Sequence, residues 1–230
     1  MKKTLLIASV IILVVIPFQG KSINYRNKEM TLISFNVSIH LETKRYLDQF
    51  ESYFSPIKNP NADKIVAKIK EQTWGSMVDV LQKEIGMVIL PISTLGNNIS
   101  YEEYGFPNVS ISKAQRKGFS KFYMKIDLQI GPEVYQPQSS FKEDTTNQRI
   151  KLKSGEIKPM VTITITTYPE NGIVPIDKYV GIAIAPTPWY SNDSSIIDGL
   201  VNEKSKTNLS SLMSLINEAI NDVSTNIHVR

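Results

Sequence analysis

Residues 121–130 have the sequence KFYMKIDLQI, in which apolar side chains at 122, 124, 126, 128 and 130 alternate with more polar ones. Successive side chains of a β-strand point to opposite faces of the sheet. This period of two therefore predicts a strand with one face in the core and the other in water. It is the clearest strand signal in the chain.

A second alternating stretch at 31–39 predicts another half-buried strand, and a short helix is expected at 41–54. A long helix is predicted to start at Pro60 with Asn59 as its cap, because proline suits the first helical position and asparagine satisfies free amide groups there. Gly86 is expected to end this helix in the left-handed conformation. The apolar residues that recur at helical spacing between these ends are Ile65, Ile69, Met77, Val80, Leu81 and Ile85.

The apolar run 87–92 follows this helix and predicts a buried interior strand, and hence a β-α-β unit. A small helix is expected at 110–117. Residues 161–168 and 178–185 are rich in β-forming side chains and are joined by PENG at 169–172, which is typical of an antiparallel hairpin. The last helix carries an apolar stripe formed by Leu209, Leu212, Ile216, Ala219, Ile220 and Val223.

These elements predict an α/β (α+β) fold, in which a mixed β-sheet is packed by one long helix after the first strand and by a closing C-terminal helix. Residues 23–230 are expected to form a single domain. Within it, the segment near 131–147 is rich in proline, glutamine, serine and charge and lacks periodicity, which predicts a mobile insertion.

The first 22 residues predict export. Two lysines precede an apolar run from Leu5 to Phe18, and polar residues follow, as in a secretory signal peptide. The run is shorter than the roughly 20 apolar residues that a spanning helix needs, which favours a cleaved signal over a permanent anchor. The small residues Gly20 and Ser22 favour cleavage that releases Ile23, and an uncleaved amino-terminal anchor is the alternative. Membrane contact is expected only through this segment, and the protein is expected to be periplasmic or secreted.

Composition excludes several functions. The chain has no cysteine, so it forms no disulfide and offers no thiolate to a metal or a lipid. Without the three lysines of the first 22 residues, 23 basic residues stand against 22 acidic ones. Such a near-neutral domain lacks the positive surface that phosphate backbones require, so nucleic acid is not an expected partner.

Few residues suit catalysis or metal binding. The two histidines, His40 and His228, lie far apart in the sequence and are interpreted as surface residues. Asn59, Asn61 and Asp63 resemble the start of a calcium loop, but lysines occupy the positions that need glycine and glutamate, so helix capping is the better interpretation. No catalytic residue, metal site or cofactor is predicted.

Two hydrolase alternatives stay open. Ser110 and Lys113 form an S-x-x-K motif at a predicted helix start, and a Lys-Ser-Gly sequence at 153–155 resembles a companion motif of serine enzymes that recognise penicillin. The middle element of that motif set is missing. Glu102 and Glu103 form an acid pair that could flank a sugar, as the carboxylates of glycosidases do.

Aromatic residues cluster in two predicted loops. We predict a ligand-binding role for Tyr101, Tyr104, Phe106, Trp189 and Tyr190, because loops carry recognition and these side chains are enriched at binding centres. The alternative is that the rings fold back and cover the core. If the strands that precede the two loops run parallel, the loops should lie at the same end of the sheet.

The order of the predicted elements resembles that of a group of bacterial envelope proteins. These are the lipoproteins that activate penicillin-binding proteins, the amino-terminal domain of the TolB translocation protein and the periplasmic part of the curli secretion channel. The stretch SKAQRKG at 112–118, followed by KFYMKI at 121–126, is similar to their helix, small-residue break and alternating strand. This chain departs from those lipoproteins in lacking the lipid-linked cysteine. The resemblance implies a non-catalytic envelope domain that works by docking.

Three hypotheses follow from the sequence. The first is an exported, non-enzymatic binding or assembly domain of the bacterial cell envelope, with an envelope protein or a glycan as its partner. The second is a periplasmic hydrolase that uses Ser110 with Lys113, or Glu102 with Glu103. The third is a self-associating structural component, since the sequence leaves the oligomeric state open.

Overall fold

The computed structural model describes residues 23–57, 62–97, 99–118, 120–133, 156–201 and 208–228. The strands are β1 (Glu29–Ile39), β2 (Val88–Ile89), β3 (Phe122–Pro132), β4 (Glu156–Ile157), β5 (Pro159–Pro169), β6 (Asp177–Ile184) and β7 (Trp189–Tyr190). The α-helices are α1 (Leu41–Asp48), α2 (Lys64–Val80), α3 (Ile111–Gln115) and α4 (Leu212–His228). Three 3₁₀ turns, at Glu51–Tyr53, Ile92–Leu95 and Ser194–Ile197, and one π-helical turn, at Leu81–Ile85, complete the described elements.

Five strands form one mixed sheet in the order β2-β1-β3-β5-β6. Strands β2, β1 and β3 are mutually parallel, and β5 and β6 add an antiparallel hairpin beside β3. β4 and β7 form a separate two-stranded ribbon. The predicted α/β fold class is confirmed: the sheet is mixed, a long helix comes after the first strand, and the last described element is a helix that packs on the core.

Several predicted boundaries shift. The predicted signal peptide lies outside the described residues, as do residues 134–147 of the predicted insertion. Gly131 and Pro132 belong to β3, because they pair with Met160 and Pro159 of β5. The predicted start of the insertion was therefore wrong by two residues.

Helix α2 begins later than predicted. Its cap is Asp63, whose carboxylate accepts hydrogen bonds from the amides of Ile65 and Val66 at 2.9 and 3.1 Å. Asp63 satisfies these two free donors of the first turn, whereas Asn59 and Pro60, the predicted cap and first helical residue, lie outside the described residues. The predicted helix end is confirmed: a π-helical turn over Leu81–Ile85 leads to Gly86, which has φ 74°.

The predicted interior strand at 87–92 is wrong. Strand β2 has two residues, lies at the edge of the sheet and leaves Val88 42 % exposed. Leu90 makes one more hydrogen bond to β1, from its amide to the Met30 carbonyl at 3.0 Å, and Pro91 then caps a 3₁₀ turn, because proline has no amide hydrogen with which to continue a ladder. Leu209 is also misassigned, since it is 76 % exposed and precedes α4.

The main core lies between one face of the sheet and helices α2 and α4. On the other face, a smaller cluster packs under the 3₁₀ turn at 92–95 and α3, and it consists of Ile33, Leu95, Ile99, Val109, Ala114 and Tyr123. The rest of that face is more polar, with Asn36 donating a hydrogen bond to Asp127 at 2.9 Å. This division matches the alternation in β3.

Helix α4 approaches β6 unusually closely at Gly181. A Cβ atom added there would lie 2.6 Å from the backbone nitrogen and 2.9 Å from the Cβ of Val223. Ala183 and Ala219 are also buried at this contact and are also small. The helix can therefore cover the hairpin only because β6 presents almost no side chain to it.

Helix α4 also covers the free edge of β6. Asp222 accepts a hydrogen bond from the Ile182 amide at 2.9 Å, and Asn226 donates one to the Val180 carbonyl at 2.8 Å. These backbone groups would otherwise face an open edge. None of the described helices is long and apolar enough to cross a membrane.

We expect Gly181→Ala to lower the free energy of unfolding by about 3 kcal/mol or more, because the added methyl group meets helix backbone that has no room to move. Gly75→Ala is the matched control. Gly75 lies on an exposed part of α2 with nothing within 4 Å of the added Cβ, so the control should gain up to about 1 kcal/mol. Urea unfolding followed by circular dichroism measures both. Equal stability of the two variants would contradict this account of the contact.

Candidate functional site

Residues 101–106, which we call the aromatic loop, form a tight turn beside the edge of β1. Bridges pair Tyr101 with Pro107 and, further along, Asn108 with Ser34 of β1. Within the turn, the Gly105 amide donates to the Glu102 carbonyl at 2.9 Å, and Gly105 has φ 82°. The loop therefore has its own backbone hydrogen bonds and depends on glycine at the left-handed position.

A buried lysine joins this loop to β1 and α2. Lys70 of α2 is 2 % exposed, its ammonium donates to the Phe35 carbonyl of β1 at 2.8 Å, and it forms an ion pair with Glu102 of the loop. The ammonium also lies 5.6, 4.8 and 5.7 Å from the ring centroids of Phe35, Tyr104 and Phe106. The charge is thus compensated by one carboxylate, one carbonyl and three aromatic rings.

Burial lowers the pKa of Lys70 below its ordinary value, although Glu102 and Glu103 act in the opposite direction. Burying an ammonium costs several kcal/mol unless a partner of opposite charge is close. The position of Glu102, and with it that of the aromatic loop, is therefore tied to the presence of this lysine on α2.

A cleft of about 560 Å³ opens between α2 and the aromatic loop. Trp74 is half-buried in it and meets the ring of Phe106 edge-on, with centroids 6.2 Å apart. The acidic side chains of Glu71 and Glu103 also line the cleft, and none of its lining residues in the described part of the chain is basic. The full lining is Ile57, Ala67, Glu71, Trp74, Ile92, Glu103, Tyr104, Gly105 and Phe106.

Asp63 ties the other side of the loop to α1. Its backbone amide donates to the Tyr104 hydroxyl at 3.4 Å, and its carboxylate accepts from the Lys44 ammonium at 2.8 Å. Burial alone would raise the pKa of Asp63, but the bonds from Lys44 and from the amides of Val66 and Ile65 outweigh it and lower the pKa. The aromatic loop is therefore held by the ion pair of Lys70 with Glu102 and by a neutral hydrogen bond from Asp63 to Tyr104, and Asp63 is itself fixed by Lys44.

The five predicted aromatic residues do not share one environment. Trp189 is 1 % exposed and its indole N–H donates to the Ser210 carbonyl at 2.6 Å, so its ring covers the core, which is the alternative that the sequence left open. Phe106 is 6 % exposed, and Tyr101 is half-buried with its hydroxyl donating to the Gly96 carbonyl at 3.2 Å. Tyr190 is 49 % exposed. Trp189 is buried because its strand pairs with β4 and lies over the core.

The two aromatic segments lie at the same end of the sheet but do not form one patch. β2 and β6 both run parallel to β3, so their carboxyl ends are at the same end, as the sequence predicted. They are, however, the two outermost strands, with three strands between them. At about 4.8 Å per strand, the outer strands are roughly 19 Å apart. The cleft accordingly contains Tyr104 and Phe106 and neither Trp189 nor Tyr190.

The residues of the hydrolase alternatives have structural roles. Ser110 caps α3, with its hydroxyl accepting from the Lys113 amide at 3.4 Å. Glu102 is paired with Lys70.

His40 caps α1 by accepting from the Glu42 amide at 3.4 Å. Over the described ranges, no group of three or more acidic or histidine side chains could hold a metal ion.

Lys70, Glu71 and Trp74 were missed as site residues from the sequence. A signal existed for Lys70, because it shares the buried face of α2 with Thr73 and Met77, three and seven residues later. A charged residue on the core face of a helix requires a partner. Glu71 and Trp74 gave no comparable signal, since each is ordinary on a helix surface.

No known protein family and no curated protein matches this chain in sequence. Three solved structures are similar to it over most of their lengths. The hypothetical protein CT253 from Chlamydia trachomatis has 8 % identity and a TM-score of 0.43, with 89 % of this chain and 99 % of that chain covered. A neuraminyllactose-binding hemagglutinin homolog from Helicobacter pylori has 9 % identity and a TM-score of 0.37, with 92 % and 87 % covered.

The third structure is the PelC dodecamer from Paraburkholderia phytofirmans, with 11 % identity, a TM-score of 0.32, and 89 % of this chain and 92 % of that chain covered. Identity and structural agreement this low carry no argument about function. None of the three is named as one of the envelope proteins that the sequence resembles, and that resemblance stays a prediction.

We expect Glu102→Gln and Lys70→Met each to destabilise the fold, and the double variant to be more stable than the sum of the two effects by about 1 kcal/mol or more. The single change at Glu102 leaves a buried ammonium without its carboxylate, whereas the double change removes both charges. Chemical unfolding of the four proteins gives the coupling energy. Strict additivity would show that the ion pair does not hold the loop.

The pH dependence provides a control for this experiment. Burial lowers the pKa of Lys70 below its ordinary value of 10.5. Between the native pKa and 10.5, the unfolded chain therefore binds more protons than the folded chain. The free energy of unfolding contributed by this group rises with pH in that window. Removing Glu102 lowers the native pKa further. The destabilisation by Glu102→Gln should therefore be smaller at about pH 10 than at about pH 7.

Proposed function

We propose that this protein is an exported, non-catalytic binding domain of the bacterial cell envelope, and that the cleft between α2 and the aromatic loop is its ligand site. The observation that carries the proposal is the cleft itself. It combines the rings of Trp74 and Tyr104 with two carboxylates, and its wall is fixed in place by the buried Lys70.

A wall that is already ordered supports binding because the ligand does not have to order it. Association loses affinity for each side chain and loop that must be immobilised. Here the contacts from Lys70 to Glu102 and from Asp63 to Tyr104 are made within the chain. Aromatic side chains beside a small number of polar groups are the usual composition of a ligand site, and the volume is in the usual range.

The roles of the candidate catalytic groups support binding over hydrolysis. A nucleophilic serine needs a base within hydrogen-bond reach. The hydrogen bond of Ser110 Oγ goes to the backbone of Lys113, and among the described residues none joins it to the Lys113 ammonium. Glu102 forms an ion pair with Lys70, so Glu102 and Glu103 are not the pair of free carboxylates that a glycosidase needs.

Export is proposed from the sequence of the first 22 residues, which has the charged start, apolar centre and small-residue exit of a signal peptide. When the full gene is expressed in a bacterium, we expect the protein in the periplasmic or culture fraction, with a mass that corresponds to a chain starting at Ile23. Intact mass spectrometry of each fraction checks both points. A protein of full-length mass in the cytoplasmic fraction would contradict export.

The binding site is tested by filling the cleft. Ala67 lines it from the surface of α2, so Ala67→Trp should occupy its volume while leaving the helix intact. We expect this variant to lose about tenfold or more of the affinity for any ligand that the protein retains on peptide and glycan arrays. Its melting temperature should stay within a few degrees of the parent's.

The matched control is Tyr190→Ala, which removes an exposed aromatic side chain of the β4-β7 ribbon, outside the cleft. Binding through the cleft leaves the affinity of this variant unchanged. A ligand whose retention depends on Tyr190 and not on Ala67 would move the site to the ribbon. Arrays without any retained ligand would remove the basis for a binding domain.

A further inference from the structure

We infer that the cleft takes a cationic side chain, the ammonium of a lysine or the guanidinium of an arginine in an extended peptide. This inference rests on the proposed function and adds the chemical class of the ligand. It is carried by two independent features of the cleft, its charge and its aromatic wall.

The charge of the cleft is negative. Glu71 lies on α2 and Glu103 on the aromatic loop, so a carboxylate is present on each of the two elements that form the cleft. The Glu71 side chain is 69 % exposed and its carboxylate forms an ion pair with the Lys68 ammonium at 3.0 Å. Glu103 is exposed at the turn of the loop. Lys68 offsets part of the charge of Glu71 from outside the lining, and the described lining itself holds two carboxylates and no basic side chain. A ligand with positive charge is therefore favoured over a neutral or acidic one.

The aromatic wall favours the same charge. The face of an aromatic ring is electrostatically negative and attracts cations within about 6 Å. In this protein, the Lys70 ammonium already lies 4.8 Å from the Tyr104 centroid and 5.7 Å from the Phe106 centroid. Tyr104 and Phe106 thus already interact with an ammonium of this chain, and a second cation beside the same rings would be repelled by it. The ring that a cationic ligand would use is that of Trp74, which lines the cleft and is the aromatic side chain best suited to this interaction.

A lysine or arginine side chain matches the cleft along its length as well. Its methylene stem is apolar and suits the wall formed by Ile57, Ala67 and Ile92, while its charged end suits the two carboxylates. A neutral sugar could stack on Trp74, but it would cover Glu71 and Glu103 without supplying a counter-charge, which is costly for carboxylates removed from water.

The probe for this inference is the peptide acetyl-Ala-Lys-Ala-Lys-Ala-amide, compared with the same peptide carrying norleucine at both lysine positions. Norleucine keeps the four-carbon stem and removes the charge. In calorimetric titrations of the purified protein, we expect the lysine peptide to bind about tenfold or more tightly than the norleucine peptide, and its affinity to fall as salt is added.

Variants of the protein test the two carboxylates. Glu71→Gln and Glu103→Gln should each weaken the lysine peptide by about threefold or more and leave the norleucine peptide unchanged. Asp79→Asn is the matched control, because it removes the same charge from an exposed position of α2 outside the cleft. Equal binding of the two peptides, or equal effects of Glu71→Gln, Glu103→Gln and Asp79→Asn, would overturn the inference.

A third probe separates this inference from the proposed function. The probe is a tetramer of N-acetylglucosamine. If it binds, if its affinity is lost in the Ala67→Trp variant and does not depend on salt, and if the lysine peptide does not displace it, the cleft is a binding site for neutral sugars and the cationic assignment is wrong. If neither the peptides nor the sugar bind and the arrays retain no ligand either, the proposed function and the cationic assignment both fail.

Discussion

The ammonium of Lys70 is the constraint on which the arrangement of the site depends. A positive charge at 2 % exposure must be matched by partners, and the partners come from two separate parts of the chain: β1 supplies the carbonyl and ring of Phe35, and the aromatic loop supplies the carboxylate of Glu102 and the rings of Tyr104 and Phe106. Each polar partner is specific in position, because a hydrogen bond depends on direction as well as on distance, whereas apolar packing has no preferred direction. One residue on α2 thereby fixes both the loop and the strand edge beside it.

This arrangement has a cost in stability that an apolar core would avoid. Replacing a buried ion pair with well-packed apolar side chains is often neutral or stabilising, so the pair is not explained by stability alone. Its effect here is to hold a loop that has little apolar area of its own to bury. The loop can then present Tyr104 and Glu103 to the cleft instead of directing every side chain into the core.

The sequence predicted the parts of the fold in which local pattern and environment agree. Strands β3 and β5 alternate because one face of the sheet is covered by helices and the other largely is not, whereas β1 is buried on both faces over residues 30–35. The sequence did not predict the features that depend on contacts between distant parts of the chain. Residues 87–92 are apolar enough for an interior strand, but Pro91 ends the ladder and leaves β2 at the edge. Trp189 follows two prolines in a predicted loop, and only the pairing of β7 with β4 shows that it is buried. Of the two elements that line the candidate cleft, the aromatic loop was identified from the sequence and the surface of α2 was not.

Both edges of the five-stranded sheet are occupied within the described part of the chain. Side chains of α4 take the backbone groups of β6, and Asn108 and Val109 bond to β1 beyond the short β2. An open edge is the template on which a donor strand, a second copy or a growing fibril adds to a sheet. This sheet offers no such template along those segments. Along those segments, a partner can add to this protein only through side chains on the faces and loops, which requires a surface of matching shape and disfavours the edge-to-edge pairing from which fibrils grow.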